Sequence, residues 1–214
     1  MKRRNILIGL SGAALLLAGT GRRRAWAEGA SGQQLAEAVE INADDRVLGD
    51  ADAPVTIVEY ASLTCPHCAH FHDDVFPALK ENWIDTGKAR LVFRHFPLDG
   101  LALRASALSE CMEGVRFFGF LGILFETQTQ WATADDPLAA LQGLAKQAGM
   151  DEATSEACLQ DETLLTKVLE ERKVGSDDYG VDSTPSFLVN GEKMQGARTY
   201  EEFDAQLKEV LGEV

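Results

Sequence analysis

The sequence predicts an α/β fold whose two halves are parted by an all-helical insertion. Three observations carry that expectation. An apolar strand runs into a helix through Cys65-Pro66-His67-Cys68, a hairpin followed by a helix occupies the C-terminal end, and roughly 85 residues of helical signals lie between a second strand ending at Phe96 and Thr184-Pro185. The 214 residues are 45% hydrophobic and 25% charged, a globular composition that argues against disorder, collagen-like repeats and multi-span membrane proteins.

Taken in order, residues 1–27 read as an export signal. Lys2, Arg3 and Arg4 are basic, Ile6 to Ala18 is an apolar run, and Ala25-Trp26-Ala27 offers a small-x-small cleavage pattern before Glu28. As a helix that run spans about 20 Å, short of the ~30 Å hydrocarbon core. Arg3-Arg4 followed by Asn5-Ile6-Leu7 resembles a twin-arginine signal, with the general secretory route as the alternative. Both place the product outside the cytoplasm, in the periplasm, where disulfides persist.

Residues 28–50 are read as an N-terminal arm and residues 51–98 as the first half of the α/β fold. Pro54 to Tyr60 is β-branched and apolar on both faces, as for a central strand. Glu59 is the exception. Burying a carboxylate costs several kcal/mol unless it is neutral or paired, so it is either functional or on an edge strand reaching solvent. Pro66 suits the first position of a helix, which makes Cys65 the N-cap; Cys68, Phe71 and Val75 then share one face. Arg90 to Phe96 reads as a second strand.

Residues 99–179 form the helical insertion. Leu108, Cys111, Met112 and Val115 fit one helical face, and so do Phe117, Phe120, Leu121 and Leu124. Asp136-Pro137 starts a helix with Leu141, Leu144 and Ala145 on one side and Gly149 near its end, and Asp151 to Leu159 and Asp161 to Tyr179 supply two more. Residues 180–214 are the second half of the α/β fold. Ser186 to Met194 reads as two strands around an Asn190-Gly191 type I′ turn. Thr199 and Glu202 then make a capping box before Phe203, Leu207, Val210 and Leu211.

The whole chain carries a formal charge of −14. Residues 1–27 hold six of the 20 basic residues and no acidic one, so the remainder, with 14 basic against 34 acidic residues, carries −20. Such a surface repels phosphate backbones and anionic lipid, which excludes nucleic acid as an expected partner and disfavours peripheral membrane binding.

Spacing divides the four cysteines into two classes. Cys65 and Cys68 form a C-x-x-C at the start of a helix, whereas Cys111 and Cys158 stand apart in helical patterns. At an N-cap, unpaired backbone N–H groups and the positive end of the helix dipole favour a thiolate, and a protonated His67 adds positive charge. Cys65 is therefore expected to be an exposed nucleophile of low pKa, with Cys68 the resolving thiol on the buried face. Whatever stabilises that thiolate stabilises the reduced protein. Each pKa unit is ~1.4 kcal/mol, equivalent to ~30 mV for a two-electron couple, so several units shift the potential by on the order of 100 mV.

Cys65, Cys68, His67, His70 and His72 also allow a metal reading. Ligands along two turns of one helix rarely converge tetrahedrally, so no metal is expected, and His70 and His72 are expected to be ordinary helix residues near the surface.

Thr64-Cys65-Pro66-His67-Cys68, after a strand ending Glu59-Tyr60, resembles the active site of DsbA-like thiol:disulfide oxidoreductases of the thioredoxin superfamily. The likeness runs from Arg46-Val47-Leu48-Gly49 through the C-terminal helix. It implies a thioredoxin fold with an inserted all-helical domain, and a cis proline at Pro185 presenting Thr184 beside the cysteines. It also implies that Glu59 assists proton transfer at the resolving cysteine. Compartment and resemblance together imply a structural disulfide between Cys111 and Cys158.

The implied activity is donation of the Cys65–Cys68 disulfide to reduced exported protein substrates through a mixed disulfide. No cofactor is implied, and reoxidation would fall to a DsbB-like membrane quinone-linked oxidase. A monomer is expected, because residues 28–50 are too few for a dimerisation domain. The alternatives are a disulfide isomerase or reductase, which Thr184 leaves open, and a metal-binding or holdase protein.

Overall fold

The computed structural model describes residues 39–213. The export signal expected at 1–27, and the first part of the arm, lie outside the described residues. A five-stranded mixed sheet organises the rest, in the order β1-β3-β2-β4-β5. Its strands are β1 (Arg46–Gly49), β2 (Val55–Ala61), β3 (Ala89–His95), β4 (Ser186–Val189) and β5 (Glu192–Gln195). β2 lies at the centre, parallel to β3 with Glu59 opposite Phe93, and antiparallel to β4 with Glu59 opposite Phe187. Every β2 residue except Thr56 is buried, which is why the strand reads apolar on both faces. β1, which falls within residues 28–50, pairs antiparallel with β3 and is an edge of the sheet.

From β2 the chain turns into α1 (Pro66–His70). A π-helical turn at Phe71–Val75, α2 (Phe76–Leu79) and a second π-helical turn at Lys80–Ile84 continue it. Pro77 cannot donate to the ladder, and the π turns flank that break. Phe71, Val75, Leu79 and Trp83 pack on Ile57, Leu91, Phe187 and Val189 of the sheet, together with Phe203 and Leu207 of the C-terminal helix.

Between β3 and β4 come α3 (Gly100–Glu110), α4 (Val115–Glu126), α5 (Gln128–Ala132), α6 (Pro137–Gln147), α7 (Glu152–Gln160) and α8 (Glu162–Tyr179). Asp99, Asp136, Asp151 and Asp161 cap α3, α6, α7 and α8 through their carboxylates. The phenylalanines of α4 meet Leu108, Trp131, Leu141 and Met150 in one apolar cluster, which also contains Ala61, Leu63, Cys65 and Cys68. The insertion and the start of α1 thus share a core. α8 lies against the sheet at Gly175, where a Cβ would stand 2.6 Å from the Tyr60 ring. α9 (Tyr200–Leu211) begins with the Thr199–Glu202 capping box. Asn190 and Gly191 both take positive φ, as a type I′ turn requires.

One helical reading is corrected. α3 stops at Glu110, with Cys111 as its C-cap, and Gly114 at φ 56 starts α4. Leu108, Cys111, Met112 and Val115 therefore do not share a helix, and Val115 is 82% exposed. The Cys111–Cys158 disulfide, with Cα atoms 6.4 Å apart, ties that C-cap to α7.

Buried charges at the edge of the sheet are paired. Arg94 of β3 donates to both oxygens of Asp45 and to the Tyr60 hydroxyl. Arg46 of β1 donates to both oxygens of Glu110, which also meets His95. Burial opposes ionisation of Glu110, but the bonds and charges of His95 and Arg46 hold its carboxyl well below the ordinary range.

Candidate active site

Three segments build the site. β2 ends at Ala61, the chain turns through Ser62–Thr64, and Cys65 follows in an extended conformation (φ −82°, ψ 118°) as the N-cap of α1, with Pro66 next. The Cys65 carbonyl accepts from the N–H groups of Cys68 and Ala69 at 3.1 and 3.2 Å, the first bonds of the helix. From the other half of the fold, the Thr184–Pro185 peptide is cis, and the Cys65 thiol donates to the Thr184 carbonyl at 3.3 Å. Cys65 and Cys68 are unbonded to each other in this structure.

The expectation of an exposed Cys65 is corrected, since only 5% of the residue is accessible. The Thr184 segment lies beside its sulfur and the insertion's apolar cluster packs around it. Pro66 and His67 are the exposed residues of the motif.

The two thiols are driven in opposite directions. The Cys65 pKa falls from the ordinary 9.0 to about 5. The largest cause is a hydrogen bond from the Cys68 thiol; burial opposes it, and the Thr184 hydroxyl and the backbone N–H groups of Cys68 and His67 add to it. That hydroxyl is buried and has no hydrogen-bond partner in this structure, so a thiolate beside it is a natural acceptor. The mouth of the helix therefore contributes, but ranks behind the neighbouring thiol, and His67 acts through its backbone N–H. Cys68 moves well above 9.0, first because it is buried, then because of the bond to Cys65 and the charges of Cys65 and Glu59.

Glu59 is fully buried on the central strand, which removes the edge-strand alternative. Its partner is His72, whose Nε2 lies 3.0 and 3.1 Å from the two carboxylate oxygens. His72 is only 8% exposed and its ring stacks on Phe125 of α4 at 4.2 Å. The expectation that His72 lies near the surface is thus overturned: it stands one turn after Cys68 on the same face, and that face is covered by α4. His70 does sit on the exposed side, paired with Asp74.

Two further residues reach the site without a signal in the motif. Asp99, the N-cap of α3, accepts from the Thr64 hydroxyl at 2.7 Å. Gln128, at the start of α5, is 7% exposed, and its Nε2 donates to the carbonyls of Leu63 at 2.8 Å and Cys65 at 3.0 Å. Among the described residues no cluster of three or more His, Cys, Asp or Glu side chains is placed to hold a metal ion, and no helix is long and apolar enough to cross a membrane.

A thioredoxin family model matches residues 42–209. The crystal structure of Wolbachia pipientis alpha-DsbA1 superposes with a TM-score of 0.77 at 31% identity, covering 82% of this chain and 94% of that one. A Rickettsia bellii protein named "Putative protein-disulfide oxidoreductase" is 33% identical over 153 residues. The match takes in 71% of this chain but 59% of that relative's length. "Disulfide bond formation protein D" of Bacillus subtilis is 29% identical over 176 residues, 77% of this chain and 76% of that protein.

Proposed function

Because the chain belongs to the thioredoxin superfamily as a DsbA-like member, we propose that it is a periplasmic thiol:disulfide oxidoreductase that donates a Cys65–Cys68 disulfide to exported proteins. The opposite displacement of the two thiols, Cys65 down to about 5 and Cys68 well above 9.0, carries this reading.

In the oxidised protein a substrate thiolate attacks the Cys65 sulfur. A substrate–Cys65 disulfide forms, the Cys65–Cys68 bond breaks, and Cys68 leaves as a thiolate that its buried surroundings force to take up a proton. Glu59, buried beneath the motif, is the residue assigned to pass that proton. A second substrate thiolate then attacks the substrate's own sulfur in the mixed disulfide. The substrate departs with its disulfide, and Cys65 is released as a thiolate stabilised by its surroundings. Two electrons have moved from substrate to protein. Thr184, beside the sulfur, offers backbone for the substrate segment to pair with, strand fashion. A DsbB-like membrane quinone-linked oxidase would reoxidise the pair, the protein acting as a monomer.

A reductase or isomerase is the second reading, and Thr184 ahead of Pro185 is the residue that favours it. A stabilised Cys65 thiolate favours donation instead, because it makes the disulfide easier to give away.

Cys68→Ala, expressed in an exporting host, tests the proposal. With Cys68 absent, a Cys65 thiolate that attacks a disulfide of an exported protein displaces one of its sulfurs and stays joined to the other, so Cys65 should accumulate in mixed disulfides that reductant releases. Recovery of the variant with a wholly free Cys65 and no cross-linked partner would count against transfer chemistry.

A further inference from the structure

Gln128 lies 63 positions from Cys65 in the sequence, yet its buried carboxamide reaches the backbone on both sides of Thr64. One nitrogen serves two carbonyls, Leu63 at 2.8 Å and Cys65 at 3.0 Å. The Cys65 carbonyl already accepts two helical N–H groups. The Leu63 carbonyl meets no other donor among the described residues. In the same short helix the Trp131 indole donates to the Leu124 carbonyl at 2.8 Å, a bond that joins α5 to α4.

We propose that Gln128 is a positioning residue for disulfide transfer, a carboxamide clamp from the helical insertion that fixes the Cys65 turn by holding the carbonyls on both sides of Thr64. The inference rests on Cys65 being the nucleophile of the proposed function. The Cys65 carbonyl keeps its two helical donors without Gln128, but the Leu63 carbonyl is left with none among the described residues. The clamp therefore acts on the thiolate by holding the turn that sets Cys65 against Thr184 and the first N–H groups of α1. The insertion, otherwise a packing partner of α1, thereby acts on the reacting sulfur through one side chain.

The test is the pH titration of Cys65 thiolate absorbance in the reduced full-length protein, with Gln128→Met and Gln128→Glu beside the wild type. Methionine keeps the bulk and removes the donor. Glutamate keeps the shape and sets acceptor oxygens against the carbonyls. With methionine the midpoint should rise by on the order of half to one pH unit, a three- to tenfold loss of thiolate at a fixed pH below it. With glutamate it should rise further, and this variant carries the test if the methionine variant does not fold. Trp131→Phe removes a buried bond from the same helix without touching Cys65, so it should lower stability and leave the midpoint in place. Folded Gln128 variants that titrate within about 0.2 pH unit of wild type, or a Trp131→Phe shift as large as theirs, would overturn the clamp. A wild-type midpoint at the ordinary thiol value would instead overturn the functional reading, so the two failures are distinguishable.

Discussion

The two cysteine pairs occupy opposite kinds of helix end. Cys65 caps the N-terminus of α1, where backbone N–H groups and a neighbouring thiol converge on its sulfur. Cys111 caps the C-terminus of α3, where carbonyls face outward, and its partner Cys158 is buried within α7. The first setting favours a sulfur anion and the second opposes one. The first pair stands free three positions apart, while the second is bonded across 47 positions. What separates Cys65 from Cys158 is what meets the sulfur, a neighbouring thiol first and the N–H groups of a helix start after it, and not burial, since the two residues are almost equally covered.

The strongest way to break that contrast is to exchange the pairs' fates. Cys65→Ser should abolish oxidation of a reduced, unfolded disulfide protein, whereas the Cys111→Ser/Cys158→Ser double variant should retain it within the same order of magnitude. Loss of activity in the double variant at full folding would show that the distant bridge takes part in the chemistry. Its expected effect is on stability. Closing a loop of 47 residues predicts up to about 4 kcal/mol in the chain-entropy account, read as a lowered urea midpoint. An unchanged midpoint would mean that the bridge constrains nothing in the unfolded chain.

The remaining predictions sharpen the electrostatic side. A thiol whose pKa is depressed on folding stabilises the folded protein fully above its unfolded value, and loses that contribution as pH falls through the folded one. Reduced wild type should accordingly gain stability over reduced Cys65→Ala as pH rises from about 5 towards 9.0, and match it below that window. A flat difference across the window would contradict the sign. Smaller still is the ranking of causes. Cys68→Ala should raise the Cys65 midpoint more than Thr184→Val does, because the Cys68 bond is the larger contributor; thiolate absorbance would expose a reversed order.

The central features of the site are local, and for that reason they were legible in the sequence. Pro66 after Cys65 marks the helix start, Asn190-Gly191 marks a turn with two positive φ values, and Glu59 stands out because a carboxylate in an apolar strand demands a partner. That partner was misplaced. His72 shares the face of Cys68, but periodicity tells which residues share a face and not what covers them, and here Phe125 and Glu59 do. Gln128 left no trace at all, because α5 is five residues long and its contact with Cys65 is purely tertiary. The break after Glu110 was hidden for a different reason. The apolar spacing continues through Val115 although Gly114 takes a positive φ that ends the regularity. Paired edge charges such as Arg94–Asp45 are equally silent in one dimension.

The most direct test of the whole account is the absorbance of the Cys65 thiolate across pH in the reduced protein. The site described here requires a midpoint of about 5. A midpoint at the ordinary thiol value of 9.0 would mean that nothing around this sulfur favours its anion, and the disulfide would have no electrostatic reason to be given away.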